Sequence, residues 1–329
     1  MSRDQVHVFS RATALPDVWD ATAGSQFFLQ RSSLQVLEAT NPCGQRYHLA
    51  GQNGSSSIAV TYRHKLNLLT FGAGSLNMPV TIVGIPCSVS GSGCALQAES
   101  GDELITHIRS NRGTTLILNT DCGSVKGFVS GATLPTCRLA LAWAGFDGYF
   151  ASLRSHYRYR FVKAKSCWSS VKEARVNNQE FSPELYRLYE NVYERSRFKL
   201  EKLGIEFFRK FPAEIMEFRS DGRPIAFVQT VRNDRELIFM FAGMDYRVSK
   251  RYDTYLNILL YLVRKGIAES CSSIDMGQTT EEMKCRLGCR LVRKCMHASH
   301  SSRIGTAVLK TVSGLLSYSA KEYDYHVFK

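Results

Sequence analysis

Apolar positions in the second half of the chain spell out an order of elements. ELIFMFAGMD (236–245) is an apolar run ending near Gly243, the pattern of a buried strand. A polar stretch, YRVSKRYD (246–253), reads as a loop. TYLNILLYLVRKGIAES (254–270) then places Leu256, Leu259, Leu260, Val263 and Ile267 on one helical face. SSIDMGQ (272–278) predicts a short strand broken by Gly277, and TEEMKCRLG (280–288) a short helix closed by Gly288. CRLVRKCMHAS (289–299) predicts the last strand of the series. Upstream, 218–243 reads as a meander whose first turn, Asp221-Gly222, is a hairpin signal.

The flanking stretches are less regular. SPELYRLYENVYERSRFK (182–199) predicts a helix capped by Ser182, with Pro183 first and Leu185, Leu188, Tyr189 and Val192 buried. Residues 146–168 read as one basic, aromatic-laced helix bearing Arg154, Arg158 and Lys165 near one another. In the first half, 27–40 predicts a helix and 47–74 a hairpin around 51–54. A strand and a Gly/Ser loop fill 79–93, a helix 103–111 and a strand 114–119. RLALAW (138–143) is a strand bridging the halves, and 308–319 a helix interrupted at Gly314. This pattern implies an α/β (α+β) protein of two domains, divided at 1–136 and 137–329.

A strand leading through a loop into a helix start suits anionic groups, because first-turn N–H groups lack partners and the helix dipole adds positive charge. Here the loop supplies Arg247, Lys250 and Arg251, and the helix opens at Thr254. The same residues fit an ordinary βα connection with solvated charges. The Gly/Ser loop at 88–93 lacks the lysine of a phosphate-binding loop.

The formal charge of +13 adds that partners are anionic: a phosphate-bearing ligand, a nucleic acid or a membrane surface. No segment reaches the ~20 apolar residues of a membrane span. The first twenty residues carry no apolar secretory core, so a cytoplasmic location is expected. Ten cysteines at irregular spacing, with no C-x-x-C pair, argue against zinc and are expected to be reduced apolar fillers.

The order of these features resembles the FemABX-like, BioF2-like branch of the GNAT acyltransferase superfamily. The residues that carry the resemblance are Gly243, Tyr255-Leu256-Asn257, Asp275-Met276-Gly277, Met283-Lys284 and Leu287-Gly288, with an L-R-x-x-x-R form at Arg154 and Arg158. It covers 146–299 well and the first half loosely. The resemblance implies tandem GNAT-like domains with mixed sheets flanked by helices, the N-terminal copy degenerate. It implies an N-acyltransferase using acyl-CoA, a carrier-protein thioester or aminoacyl-tRNA on an amine of a small-molecule or cell-envelope acceptor, without a metal. Asp275 is then the candidate base and Lys284 the candidate charge-neutralising group. Arg247, Lys250, Arg251, Thr254, Asn257, Arg154 and Arg158 become candidate donor or phosphate contacts. Asp275 capping a turn or paired with Arg286 or Lys284, and Lys284 as a surface lysine, are the plain structural alternatives. Two departures bear on the donor: 247–252 contains no glycine, and no tyrosine lies between Gly277 and Ser299. Side chains at 247–252 impede a close backbone approach to a pyrophosphate. A non-catalytic RNA-binding protein on the same scaffold is the alternative from another class, motivated by the net charge and the basic helix.

Overall fold

The computed structural model describes residues 6–51, 55–72, 74–87 and 89–329; the tip of the expected 51–54 turn and the first residue of the Gly/Ser loop lie outside them. The chain forms two compact units. One is built on residues up to Pro135 together with Arg293–Ala320, the other on Thr136–Val292 together with Lys321–Lys329.

In the first unit β1 (His7–Phe9) leads through α1 (Asp17–Ala23) and α2 (Arg31–Thr40) to an antiparallel run of β2 (Arg46–Ala50), β3 (Ser57–Asn67) and β4 (Asn77–Val83). β5 (Cys94–Ala95) adds to β3, α3 (Ala98–Arg109) crosses over, and β6 (Thr114–Thr120) returns parallel to β4. β7 (Val129–Ala132) follows.

The second unit begins with β8 (Thr136–Ala140), then α4 (Phe146–Ser152), α5 (Ser155–Cys167), β9 (Lys172–Val176), α6 (Pro183–Arg195) and α7 (Ile205–Lys210). The meander β10 (Glu214–Ser220), β11 (Arg223–Asn233) and β12 (Glu236–Met244) comes next. After it run α8 (Ser249–Tyr252), α9 (Thr254–Ala268), β13 (Ser273–Asp275), α10 (Glu281–Cys285) and β14 (Arg290–Val292). β15 (Cys295–His300) and α11 (Arg303–Leu316) rejoin the first unit. The two mixed sheets run β1-β2-β3-β4-β6-β15-β7 and β14-β8-β13-β12-β11-β10-β9. This is the expected fold class, α/β with mixed sheets flanked by helices.

Each unit contains a strand, a crossover helix and a parallel return strand: β4–α3–β6 and β12–α9–β13. The two copies differ where it matters. β4 stays paired with β6 to its last residue, Val83 opposite Ile117. β12 pairs with β13 only from Glu236 to Ile238 and then runs on to Met244 without a parallel partner. The second sheet is therefore splayed along 239–244, and the first is zipped.

Local chemistry explains the elements. The Asp221-Gly222 turn has both residues at positive φ, 51° and 76°, as a type I′ hairpin requires. The Ser182 hydroxyl accepts the Leu185 N–H at 3.2 Å and caps α6, with Leu185, Leu188 and Tyr189 buried beneath it. α9 is buried nearly all round, including Ile258, Tyr261 and Leu262 beyond the expected stripe, because it packs against the sheet on one side and α4 and α5 on the other.

β12 carries a bulge. Thr230 faces Phe239 and Gln229 faces Phe241, so Met240 has no residue opposite it on β11. The extra residue resets the alternation. Leu237, Ala242 and Met244 join the core with α9, while Phe241 turns to the rings of Tyr189, Phe207 and Phe208 on α6 and α7. Gly243 then lies under α6, where an added Cβ would meet Phe227 Cε1 at 2.3 Å and Leu188 Cβ at 2.7 Å. Gly243→Ala is expected to destabilise the protein by about 1–3 kcal/mol through overpacking. A urea-unfolding midpoint unchanged by the substitution would contradict this packing.

Several expectations are corrected. The 146–168 helix is two helices, broken where Leu153 and Arg154 adopt extended backbone and pair with the C-terminal strand-like segment at Phe328. The loop 246–253 contains the helical turn α8. The 289–299 strand is two: β14 pairs with β8, and β15, with His297 and Ser299 buried, pairs with β6 and β7 in the other sheet. α11 starts earlier than expected and runs unbroken through Gly314, which a helix tolerates at a cost of ~1 kcal/mol. Finally, Cys122 and Cys295 form a disulfide with Cα atoms 5.1 Å apart, so not all ten cysteines are reduced. Their 173-residue separation hides the pairing from any spacing argument.

Candidate active site

Three facing parts surround the splay: the free length of β12, the turn after β13, and the start of α9. The turn is the most constrained backbone in the second unit. Gly277, Thr279 and Thr280 all have positive φ, 69°, 63° and 47°. For β-branched threonine this is costly, about 1–3 kcal/mol each, and persists only where surrounding structure over-determines it.

Two of the sequence's candidates do that work. Asp275, half-buried at the last paired position of β13, accepts the Gly277 N–H at 2.7 Å through Oδ1. Lys284, on α10, is 2% exposed, and its Nζ donates to the carbonyls of Gly277, Gln278 and Thr279 at 3.3, 2.7 and 2.8 Å. A buried ammonium with three donors satisfied by three carbonyls is a clamp on the turn. The structure thus brings Asp275 and Lys284 to one turn. Cys137 completes the frame by donating its N–H to the Gly277 carbonyl and accepting the Met276 N–H.

The turn also touches α9. Tyr255 and Thr280 share a hydroxyl hydrogen bond of 2.6 Å. Asn257 is buried; its Nδ2 donates to the carbonyls of Ala164, Tyr252 and Asp253, and so fixes α5 and α8 to the start of α9. Asp253, with φ 48°, precedes α9 and holds the Arg160 guanidinium through both carboxylate oxygens. Thr254 is 1% exposed, and its Oγ1 has no protein partner.

The basic candidates are spread out. Arg247 is exposed and tied to the Asp245 carboxylate, which holds that carboxyl below its usual range. Lys250 and Arg251 are exposed on α8. Arg154 sits ahead of α5, donating its Nε to the Phe328 carbonyl at 3.1 Å, and so does not join Arg158 and Lys165 on one helix. α5 contains no acidic residue, and Tyr159 on it is 72% exposed.

The start of α9 is crowded by its own side chains. Thr254 is sealed, Asp253 places a carboxylate beside it, and the loop has side chains at every position from 246 to 252. The thiols near the turn are not nucleophiles: burial raises Cys137 to about 12 and Cys285 to about 11, so both stay protonated at neutral pH. Among the described residues no group of three His, Cys, Asp or Glu side chains is placed to hold a metal ion.

Sequence reasoning missed the bulge at Met240, the carbonyl cage around Lys284, the role of Thr280 and the Arg160–Asp253 pair. No local pattern announces a bulge. The hairpin signal at 221–222 fixes where β10 meets β11 and says nothing of β11 against β12. Arg160 and Asp253 are 93 residues apart, although both lie in stretches already marked as polar or basic.

Comparison with known proteins bears on the domain type and the fold. Residues 151–284 match the family model described as an acetyltransferase (GNAT) domain. The search of curated proteins returns no match. Among solved structures the chain is similar to L-PGS from Bacillus licheniformis, with 11% identity, a TM-score of 0.54, and 85% of this chain and 94% of that one covered. A conserved protein of unknown function from Bacteroides thetaiotaomicron gives 9% identity and a TM-score of 0.55, covering 90% and 100%. FemX gives 9% and 0.49, covering 82% and 90%. At these identities the first two show a shared fold.

Proposed function

We propose that this chain, whose residues 151–284 match an acetyltransferase (GNAT) domain, is an N-acyltransferase of FemABX-like type that moves an acyl or aminoacyl group from an activated donor to an amine. The observation that carries the reading is the splay: six residues of β12, 239–244, lie beyond the last pairing with β13. Along 239–244, N–H groups of β12 that point away from β11 would be the hydrogen-bond donors to a polarised carbonyl.

As the acceptor amine attacks the carbonyl carbon it loses a proton, and the donor's thioester or ester bond breaks to release its thiol or hydroxyl. Asp275, at the point where the strands part, is the group we assign to receive the proton. Lys284 is assigned to positioning: it holds the 277–279 carbonyls and thereby the height of the turn over the cleft. Thr254 and Asn257 are assigned to shaping the α9 start, Asn257 by its three carbonyl bonds.

The sealed α9 start favours donors that present phosphates to side chains over coenzyme A. Lys250 and Arg251 on α8, with Arg158 and Lys165 on α5, are the cationic groups a transfer-RNA backbone or a carrier-protein phosphopantetheine would meet. The amine acceptor belongs to a small molecule or a cell-envelope precursor.

Incubation with acyl-CoAs, acyl-carrier thioesters and charged transfer RNAs, each with a panel of amines, tests this by mass spectrometry of the products. Product is expected from a carrier or transfer-RNA donor, with Arg158→Glu and Lys165→Glu lowering it for transfer RNA. Transfer-RNA binding without product from any donor would overturn the enzyme reading in favour of an RNA-binding scaffold.

A further inference from the structure

α11 keeps a face that the fold leaves uncovered. Ser302 caps the helix by accepting the Gly305 N–H, and Thr306 ties it to His300. Leu309 is buried and Val312 and Leu316 are half-buried on the side that packs on β15 and β7. The adjoining side carries Ile304, 79% exposed, and Val308, 57% exposed, four residues apart and so stacked on one helical stripe. Ala307 and Thr311 flank them and are also exposed. A second apolar feature adjoins the C-terminal end of this helix. The β3–β4 connection, residues 68–76, has no charged residue, and its Phe71 ring packs against Tyr318 with centroids 5.3 Å apart. Leu76 at its end is 47% exposed.

The charged residues of α11 are Arg303 and Lys310, both exposed, and the helix carries no Asp or Glu. Lys294, just ahead of β15, is already balanced by its ion pair with the exposed Asp121. The β3–β4 connection has no charged residue of either sign. An exposed apolar stripe on a helix whose charges are both cationic is complementary to an anionic lipid surface: the stripe enters the acyl boundary and the cations stay at the headgroups. A second copy of this chain is a poorer match, because a self-complementary contact would set Arg303 and Lys310 against an equally basic face.

We propose that the first unit docks on an anionic phospholipid bilayer through α11, with the β3–β4 connection as a second apolar contact. The docking is peripheral: among the described residues no helix is long and apolar enough to cross a membrane. It is independent of the acyl-transfer reading, which concerns the second unit.

Co-sedimentation of the full chain with vesicles tests the proposal. Binding is expected to vesicles of equal parts phosphatidylglycerol and phosphatidylcholine and not to phosphatidylcholine alone, and to weaken as salt rises. Ile304→Ser with Val308→Ser should abolish it, leaving circular dichroism and the melting temperature unchanged because both side chains face solvent. Arg303→Gln and Lys310→Gln should each lower partitioning about fivefold at low salt. Equal pelleting with both lipids, no pelleting with either, or unchanged pelleting of the serine double variant would overturn the proposal. A concentration-dependent dimer abolished by the same double substitution would reassign the face to a second copy.

Discussion

Asp275→Asn is expected to lower acyl transfer by about 10²–10⁴-fold, the usual worth of a positioned general base. Asparagine keeps an oxygen that can accept the Gly277 N–H, now 2.7 Å from Oδ1, so this hold on the turn is retained while proton acceptance is lost. The loss should therefore appear in turnover, with donor binding and the unfolding midpoint nearly unchanged. A variant that retains turnover within about threefold of the parent, well short of the loss a general base commands, would remove Asp275 from the chemistry. It would then be a residue that merely caps the turn.

Lys284→Met is expected to have the largest effect on stability. Methionine fills nearly the same volume, so no cavity forms, but the lysine, 2% exposed, no longer donates to the carbonyls of Gln278 and Thr279, while that of Gly277 keeps the Cys137 N–H. Each buried group left unsatisfied costs about 1–3 kcal/mol, so a loss of roughly 2 kcal/mol or more is expected. The left-handed Gly277, Thr279 and Thr280 add to it, since the clamp that enforces them is gone. Urea denaturation measures the loss. Activity should fall further than the folded fraction alone predicts, because the turn forms one wall of the splay. A midpoint shift smaller than that of an ordinary surface substitution, about 0.5 kcal/mol, would show that the ammonium does not hold the turn.

These two substitutions separate roles that one sequence motif had joined. From the chain alone, Asp275 and Lys284 are a carboxylate and a lysine at family positions, both available for chemistry. The structure places the lysine's three donors on backbone, which no periodicity reveals, because the carbonyls belong to a turn whose shape depends on the lysine itself.

Where elements are long and periodic, or turns carry a strong dipeptide, the sequence was legible. The Asp221-Gly222 hairpin, the capped helix behind Ser182 and the apolar helix at 254–268 follow from side-chain pattern and local chemistry. Features decided by distant partners were not. β14 and β15 form one apolar-polar run in sequence and part because their partners lie in different sheets. The cysteines at 122 and 295 meet only once β15 has returned to the first unit. The bulge at Met240 matters most for function, since it turns Phe241 away from α9, and the pattern ELIFMFAGM is equally apolar on both faces.

The difference between the two units argues for where chemistry resides. Both fold strand, helix and parallel strand in the same order, yet only the second leaves its long strand unpaired past the crossover partner. A zipped pair offers no backbone donors and no opening. The first unit instead presents α11 and its uncovered stripe.

The most direct measurement is a crystal structure of the protein with a non-hydrolysable aminoacyl or acyl donor analogue. The account predicts density for the analogue's carbonyl between residues 239–243 of β12 and the 277–280 turn, with Asp275 at the open side. Density for that carbonyl elsewhere, or β12 and the turn closed on each other with the analogue excluded, would contradict it.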